Sequence, residues 1–166
     1  MIVVLMGVSG SGKSTIGELL AKQTGAVFAD ADDYHPLANK QKMAAGHALN
    51  DADRQPWLET LNGLLQGWFA AGTSGVLACS ALKESYRTTL SSGMPAGTVT
   101  FCLLEVPEAL LQQRLAARKH EFMNPKLLQS QLATLEAPRN AMVVRNDRAA
   151  AEVVDEILKK IAEERR

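Results

Sequence analysis

Each thing this chain of 166 residues has little of removes a class of function. It holds only two cysteines, Cys79 and Cys102, both inside apolar strand-like runs and without metal-ligand spacing. Buried structural thiols are therefore expected, rather than a disulfide or a zinc site. Lys plus Arg equals Asp plus Glu at 18 each, so no whole-protein field exists to recruit nucleic acid or an anionic membrane, and any anion site must be local. No apolar run approaches the ~20 residues that span a bilayer. Met1 is followed at once by a strand-like run, which leaves no room for a signal peptide, and a cytoplasmic location is expected. Neither an internal repeat nor a linker interrupts the chain, so residues 1–166 are expected to form one domain.

What is present is concentrated near the start. Gly7-Val8-Ser9-Gly10-Ser11-Gly12-Lys13-Ser14 matches G-x-x-x-x-G-K-[ST], directly after the apolar run Ile2-Val3-Val4-Leu5-Met6 and directly before an amphipathic helix. In such a loop glycines let backbone N–H groups turn inward around a triphosphate, and the helix start adds partial positive charge. Lys13 is then placed to reach the β- and γ-phosphates, with the Ser14 hydroxyl on Mg²⁺.

Strands are expected at 2–6, 26–29, 75–79, 99–104 and 141–144, alternating with helices. Gly25 is a suitable stop for the first helix, and Trp57, Leu58, Leu61, Leu64, Leu65 and Trp68 give a core-facing stripe to a helix over 54–70. Pro107 and the pair Asn124-Pro125 mark two further helix starts, the second opening a helix over 126–136. A closing helix carries Val153, Val154, Ile157, Leu158 and Ile161 on one face. Short apolar strands alternating with helices imply a parallel five-stranded sheet covered on both faces, with ligands outside the carboxyl ends of the strands. That rule places the glycine loop, the acids Asp30, Asp32 and Asp33, and residues 80–83 on one rim.

Phosphoryl transfer needs a metal bridging the phosphates, cations for the developing charge and a carboxylate for the attacking hydroxyl. Asp30 is suited to hold Mg²⁺ directly or through water, and Asp32 to accept a substrate hydroxyl's proton; two such side chains are expected to point the same way from a strand end at different depths. Taken alone, these acids read equally as a solvated turn before Pro36, and Asp33 as a cap for the next helix. Arg114 and Arg118, four apart, read by sequence physics as basic residues at a helix end that complement its dipole.

Several separate blocks make the chain resemble the bacterial gluconate kinases, a P-loop family related to shikimate and adenylate kinases. After the loop come Phe28-Ala29-Asp30-Ala31-Asp32-Asp33-Tyr34-His35-Pro36 with Asn39 and Lys42-Met43, then Leu49-Asn50-Asp51-Ala52-Asp53-Arg54-Gln55-Pro56-Trp57-Leu58. Cys79-Ser80-Ala81-Leu82-Lys83 with Tyr86-Arg87, and Leu127-Leu128 with Ser130-Gln131 and Thr134-Leu135-Glu136, complete the series.

The resemblance implies a P-loop NTPase fold of the nucleoside-monophosphate-kinase type, with a substrate-binding helical region near 36–70 and a lid near 118–124. It implies transfer of the ATP γ-phosphate to the 6-hydroxyl of D-gluconate, with ATP and Mg²⁺ required and a homodimer compatible. It makes Lys13, Asp32 and Arg118 catalytic, Arg118 being a lid arginine that swings onto the phosphates. Gly7, Val8, Ser9, Gly10, Ser11, Gly12, Lys13, Ser14, Thr15 and Arg114 would bind nucleotide, Ser14 and Asp30 the metal, and Asp32, His35, Arg54 and Lys83 the sugar acid.

Two segments depart from the family pattern. Ala117-Arg118-Lys119-His120-Glu121-Phe122-Met123 stands where A-R-x-G-H-F-M is usual, and Arg145-Asn146-Asp147 lacks the usual acid directly after the last strand. Rival readings are a same-fold kinase for another small molecule, such as shikimate or a nucleoside monophosphate; a regulatory nucleotide switch, which would need an N-K-x-D motif that is absent; and a scaffold with a vestigial loop, which the intact Lys13-Ser14 pair opposes.

Overall fold

The expected strands all form, and together they make a single parallel sheet in the computed structural model, which describes residues 1–117 and 125–166. They are β1 (Ile2–Met6), β2 (Val27–Asp30), β3 (Gly75–Ala78), β4 (Val99–Glu105) and β5 (Met142–Arg145), in the order β2-β3-β1-β4-β5. β1 is central and pairs with both β3 and β4, Val4 lying opposite Leu77 and Phe101. Every residue of β1 is buried, which is why it reads as an unbroken apolar run rather than an alternating one.

Successive residues of β1 feed opposite layers. Ile2, Val4 and Met6 pack with Trp57, Leu58, Leu61 and Leu65 of α3 (Asp51–Ala71), Tyr86 and Leu90 of α4 (Glu84–Ser91), Leu111 of α5 (Glu108–Ala116) and Leu128 of α6 (Pro125–Thr134). Val3 and Leu5 pack with Ile16 and Leu20 of α1 (Lys13–Thr24) and with Val153, Val154, Ile157 and Ile161 of α7 (Ala150–Glu164). The remaining helix, α2 (Leu37–Ala44), follows a 3₁₀ turn at Ala31–Tyr34. Among the described residues no helix is long and apolar enough to cross a membrane. Cys79 and Cys102 are buried free thiols, each pushed up to about 12 by desolvation.

Three local expectations are corrected. α3 begins at Asp51 rather than Arg54, because Asn50 and Asp53 form a reciprocal capping box: Asp53 N–H donates to Asn50 Oδ1 at 2.8 Å and Asn50 N–H to Asp53 Oδ2 at 2.9 Å. Asp33 does not cap the next helix; it lies inside the 3₁₀ turn, which Asp30 caps, and Pro36 occupies the N-cap of α2. α6 ends at Thr134, two residues early, since the Glu136 N–H is drawn to Leu82 O at 2.7 Å. The expected lid near 118–124, with Arg118 and the Asn124 cap, lies outside the described residues.

Leu61 is fully buried where α3 meets the sheet. Leu61→Ala should destabilise the protein by about 2–5 kcal/mol. Urea unfolding is the check, and a loss near zero would mean that α3 does not carry the core of that layer.

Candidate active site

The glycine loop joins β1 to α1, and its shape follows from where its carbonyls go. Asn146 Nδ2, just past β5, donates to Ser11 O at 2.7 Å. Arg114 of α5 donates to Gly10 O at 3.1 Å and to Asn146 O at 2.8 Å, while Lys13 Nζ donates to Gly7 O and Val8 O at 2.9 and 3.1 Å. With so many loop carbonyls supplied with donors, backbone N–H groups are left to face an anion. Gly12 holds φ at 90°, and a Cβ there would sit 2.2 Å from Asn146 Nδ2; only glycine fits. No side chain caps α1 and its first turn holds no acid; the Asp30 carboxylate reaches its positive end from β2, accepting from Ser14 Oγ.

Two loop residues behave differently from the rest. Ser11 is buried, and its hydroxyl has no hydrogen-bond partner, so its side chain faces into the fold. Ser9 is gripped by Gln131 of α6: its N–H donates to Gln131 Oε1 at 2.7 Å, and Gln131 Nε2 donates to Ser9 Oγ at 3.3 Å. Asn146 and Gln131 were not among the expected site residues. Gln131 belongs to the family-like block around Leu127-Leu128, whereas Asn146 stands in the segment that departs from the family pattern and carries no other signal in the sequence.

Beside the loop, Ser14 Oγ donates to Asp30 Oδ2 at 2.9 Å, and Asp30 Oδ1 accepts the Asp32 N–H at 3.0 Å. A hydroxyl and a carboxylate side by side at a phosphate loop are the hard oxygen donors that Mg²⁺ takes, with water and phosphate oxygens completing its shell. The residues therefore fit that ion. The strand ends at Asp30 and Asp32 belongs to the 3₁₀ turn, so strand alternation does not relate the two acids; the cap on Asp32 N–H does.

A cavity of about 770 Å³ is lined by Gly12, Lys13, Ser14, Thr15, Asp30 and Asp32 and also by His35, Arg54, Trp57 and Ser80. Of the expected site residues that are described, Gly7, Val8, Ser11, Lys83 and Arg114 do not line it. Arg114 serves the loop from behind, and Lys83 is paired with Asp51 at 3.0 Å. Residues 80–83 are shaped by Arg87, a buried cation that donates to Ala81 O, Leu82 O and Glu136 O and pairs with Glu84 at 3.0 Å. These bonds hold Ala81 at φ 45°, a left-handed conformation costly for a residue with a Cβ.

On the other side of the cavity His35 stacks on Trp57 with ring centroids 4.1 Å apart, and Trp57 Nε1 donates to Ala31 O at 2.7 Å. Burial of the imidazole, then the positive charges of Arg54 and Lys40, lower its pKa to about 4. His35 is thus a neutral hydrogen-bonding group at ordinary pH, and of the pair with Arg54 only the arginine offers charge.

A glycine loop entering a helix from the central strand, a carboxylate at the end of the edge strand β2 and a sheet of this order define a P-loop kinase. A family described as AAA domain matches residues 2–138. Shikimate kinase from Aquifex aeolicus shares the fold, with a TM-score of 0.65 at 19% identity over 99% of this chain and 98% of that one. A gluconokinase from Sinorhizobium meliloti is much nearer, with a TM-score of 0.86 at 41% identity, 98% of this chain and 91% of that one being covered. A Dictyostelium discoideum protein named probable gluconokinase is 42% identical over 168 residues, 97% of this chain and 84% of that protein. The chain belongs to the gluconokinase family.

The state of His35 has a consequence for stability. Its pKa in the folded protein lies below the 6.5 of a free imidazole, so the unfolded chain binds a proton that the folded one refuses. Its contribution is complete above pH 6.5 and is lost as pH falls from there through about 4. NMR titration should place His35 near 4, and His35→Gln should flatten the stability loss over that window. Titration near 6.5 would contradict the buried, cation-flanked ring.

Proposed function

We propose that this protein transfers the γ-phosphoryl group of ATP to the 6-hydroxyl of D-gluconate, giving 6-phospho-D-gluconate and ADP. The observation that carries this reading is that one cavity is lined both by the phosphate loop with Asp30 and Asp32 and by His35 and Arg54. A phosphate donor and a polyhydroxy acid can occupy it together.

In this reading the first-turn N–H groups of α1 and the Lys13 ammonium bind the phosphates. An incoming phosphate competes with the carbonyls of Gly7 and Val8 for that ammonium. Ser14 and Asp30 hold Mg²⁺, which when bound neutralises charge on the phosphates. Asp32 takes the proton of the 6-hydroxyl as its oxygen bonds to phosphorus and the bond to the bridging oxygen of ADP breaks. Arg54 supplies the cation that a carboxylate needs and a neutral sugar does not. His35, uncharged and fixed on Trp57, is suited to hydroxyl recognition. Arg118 is assigned to the phosphates by resemblance to the family.

Wild-type protein should consume ATP when gluconate is supplied, and Lys13→Ala should lower kcat on the order of 10²–10³-fold with its circular dichroism unchanged. Retention of most of the rate would remove this loop from the phosphate site. The two acids should separate. Asp32→Asn should lower kcat by roughly 10²–10⁴-fold at any Mg²⁺ concentration, whereas Asp30→Asn should be largely rescued by added Mg²⁺. The same defect in both, with rescue of neither, would contradict the assigned roles.

A further inference from the structure

At the edge of the cavity, four side chains from the starts of α3 and α4 form a linked chain. Arg54 Nη1 donates to Tyr86 Oη at 2.9 Å, Tyr86 O–H donates to Asp51 Oδ1 at 2.5 Å, and Lys83 Nζ donates to both Asp51 oxygens at 3.0 and 3.2 Å. The Tyr86 ring also lies under both cations, 5.4 Å from Arg54 Cζ and 5.7 Å from Lys83 Nζ. Of the four, Arg54 alone lines the cavity.

The charges are unevenly shared. Asp51 neutralises Lys83, and the carboxyl is held below its usual range by the Tyr86 hydroxyl first and Lys83 second. Among the described residues no carboxylate forms an ion pair with Arg54. The nearest acid in the chain of contacts is Asp51, and the Tyr86 hydroxyl stands between the two, spending its proton on the carboxylate and its lone pair on the guanidinium. Without that oxygen, the next acceptor along this chain of contacts is Asp51 itself.

We propose that Tyr86 is a positioning residue for substrate selection, whose hydroxyl keeps the Arg54 guanidinium off Asp51 and at the cavity wall, so that Arg54, and not Lys83, meets the carboxylate of the sugar acid. This rests on the gluconate reading given above. Lys83 acts at one remove, by neutralising Asp51 and so weakening its pull on Arg54. A sugar acid then meets a half-buried cation already aimed, with no ion-paired carboxylate to displace among the described residues.

Tyr86→Phe keeps the buried ring and both cation–ring contacts and removes one oxygen. In that variant the KM for gluconate should rise ~10-fold, with the KM for ATP unchanged. Tyr86→Phe/Asp51→Asn should recover most of the loss, because the competing carboxylate is gone; a merely structural role for Tyr86 would not be rescued this way. Arg54→Met should raise the gluconate KM far more than Lys83→Met. An unchanged gluconate KM in Tyr86→Phe, an equal rise for ATP, absence of rescue, or Lys83→Met matching Arg54→Met would each overturn the proposal. A crystal structure of Tyr86→Phe reads the positioning without any substrate: Arg54 should be found paired with Asp51, and an unmoved Arg54 refutes the inference. Wild-type protein that fails to phosphorylate gluconate would instead defeat the substrate reading, and the crystal structure would still decide the role of Tyr86.

Discussion

The site depends on one constraint: the loop before α1 must present N–H groups inward, and it can do so only if its carbonyl oxygens are satisfied elsewhere. A buried carbonyl without a donor costs about 1–3 kcal/mol, so the loop would otherwise collapse onto its own hydrogen bonds. Donors come from three directions. Asn146 enters from the end of β5, Arg114 from α5 and Lys13 from the loop's own end, and Gln131 of α6 fixes the remaining edge at Ser9. Gly12 must lack a Cβ for the Asn146 amide to arrive. The loop is therefore not a local motif but the meeting point of the sheet's carboxyl edge.

The opposite wall is built by a second set of ties. Lys42 pairs with Asp53 at 2.6 Å and Asn39 Nδ2 donates to Asp53 O at 2.8 Å, which binds α2 to the capped start of α3. That start carries Asp51 and Arg54, and one turn on, Trp57 anchors to the turn after β2 and supports His35. The turn after β2 that carries Asp32 and the cavity-lining His35 thus share a single support in Trp57. The cavity wall places the cations Arg54 and Lys40 beside a neutral imidazole, a grouping suited to an anionic, hydroxyl-rich molecule.

The central strands were legible because β1 and β3 are buried along their whole length and spell unbroken apolar runs, as in Ile2 to Met6, whereas the edge strands β2 and β5, partly exposed, carry shorter ones. The phosphate loop was legible because its chemistry needs glycines and a lysine at fixed spacing. Less legible was anything decided by a contact between distant segments. The start of α3 rests on a reciprocal cap between Asn50 and Asp53, upstream of the apolar stripe that marks the helix in the sequence and begins at Trp57. Lys83 lies on the expected rim yet turns to Asp51, 32 residues away. Asn146 is 135 residues from the carbonyl it holds, and no periodicity encodes such a bond. Sequence locates the loop and the acids, while side-chain direction belongs to packing.

In the proposed reaction the phosphate loop delivers phosphate to a sugar acid held at Arg54. That reaction is tested most directly by ³¹P NMR of the protein with ATP, Mg²⁺ and equal concentrations of gluconate, glucose and shikimate. One new phosphomonoester signal, that of 6-phosphogluconate, is expected to grow as the γ-phosphate signal falls. Phosphate appearing on glucose or shikimate at a comparable rate, or only as inorganic phosphate, would contradict it.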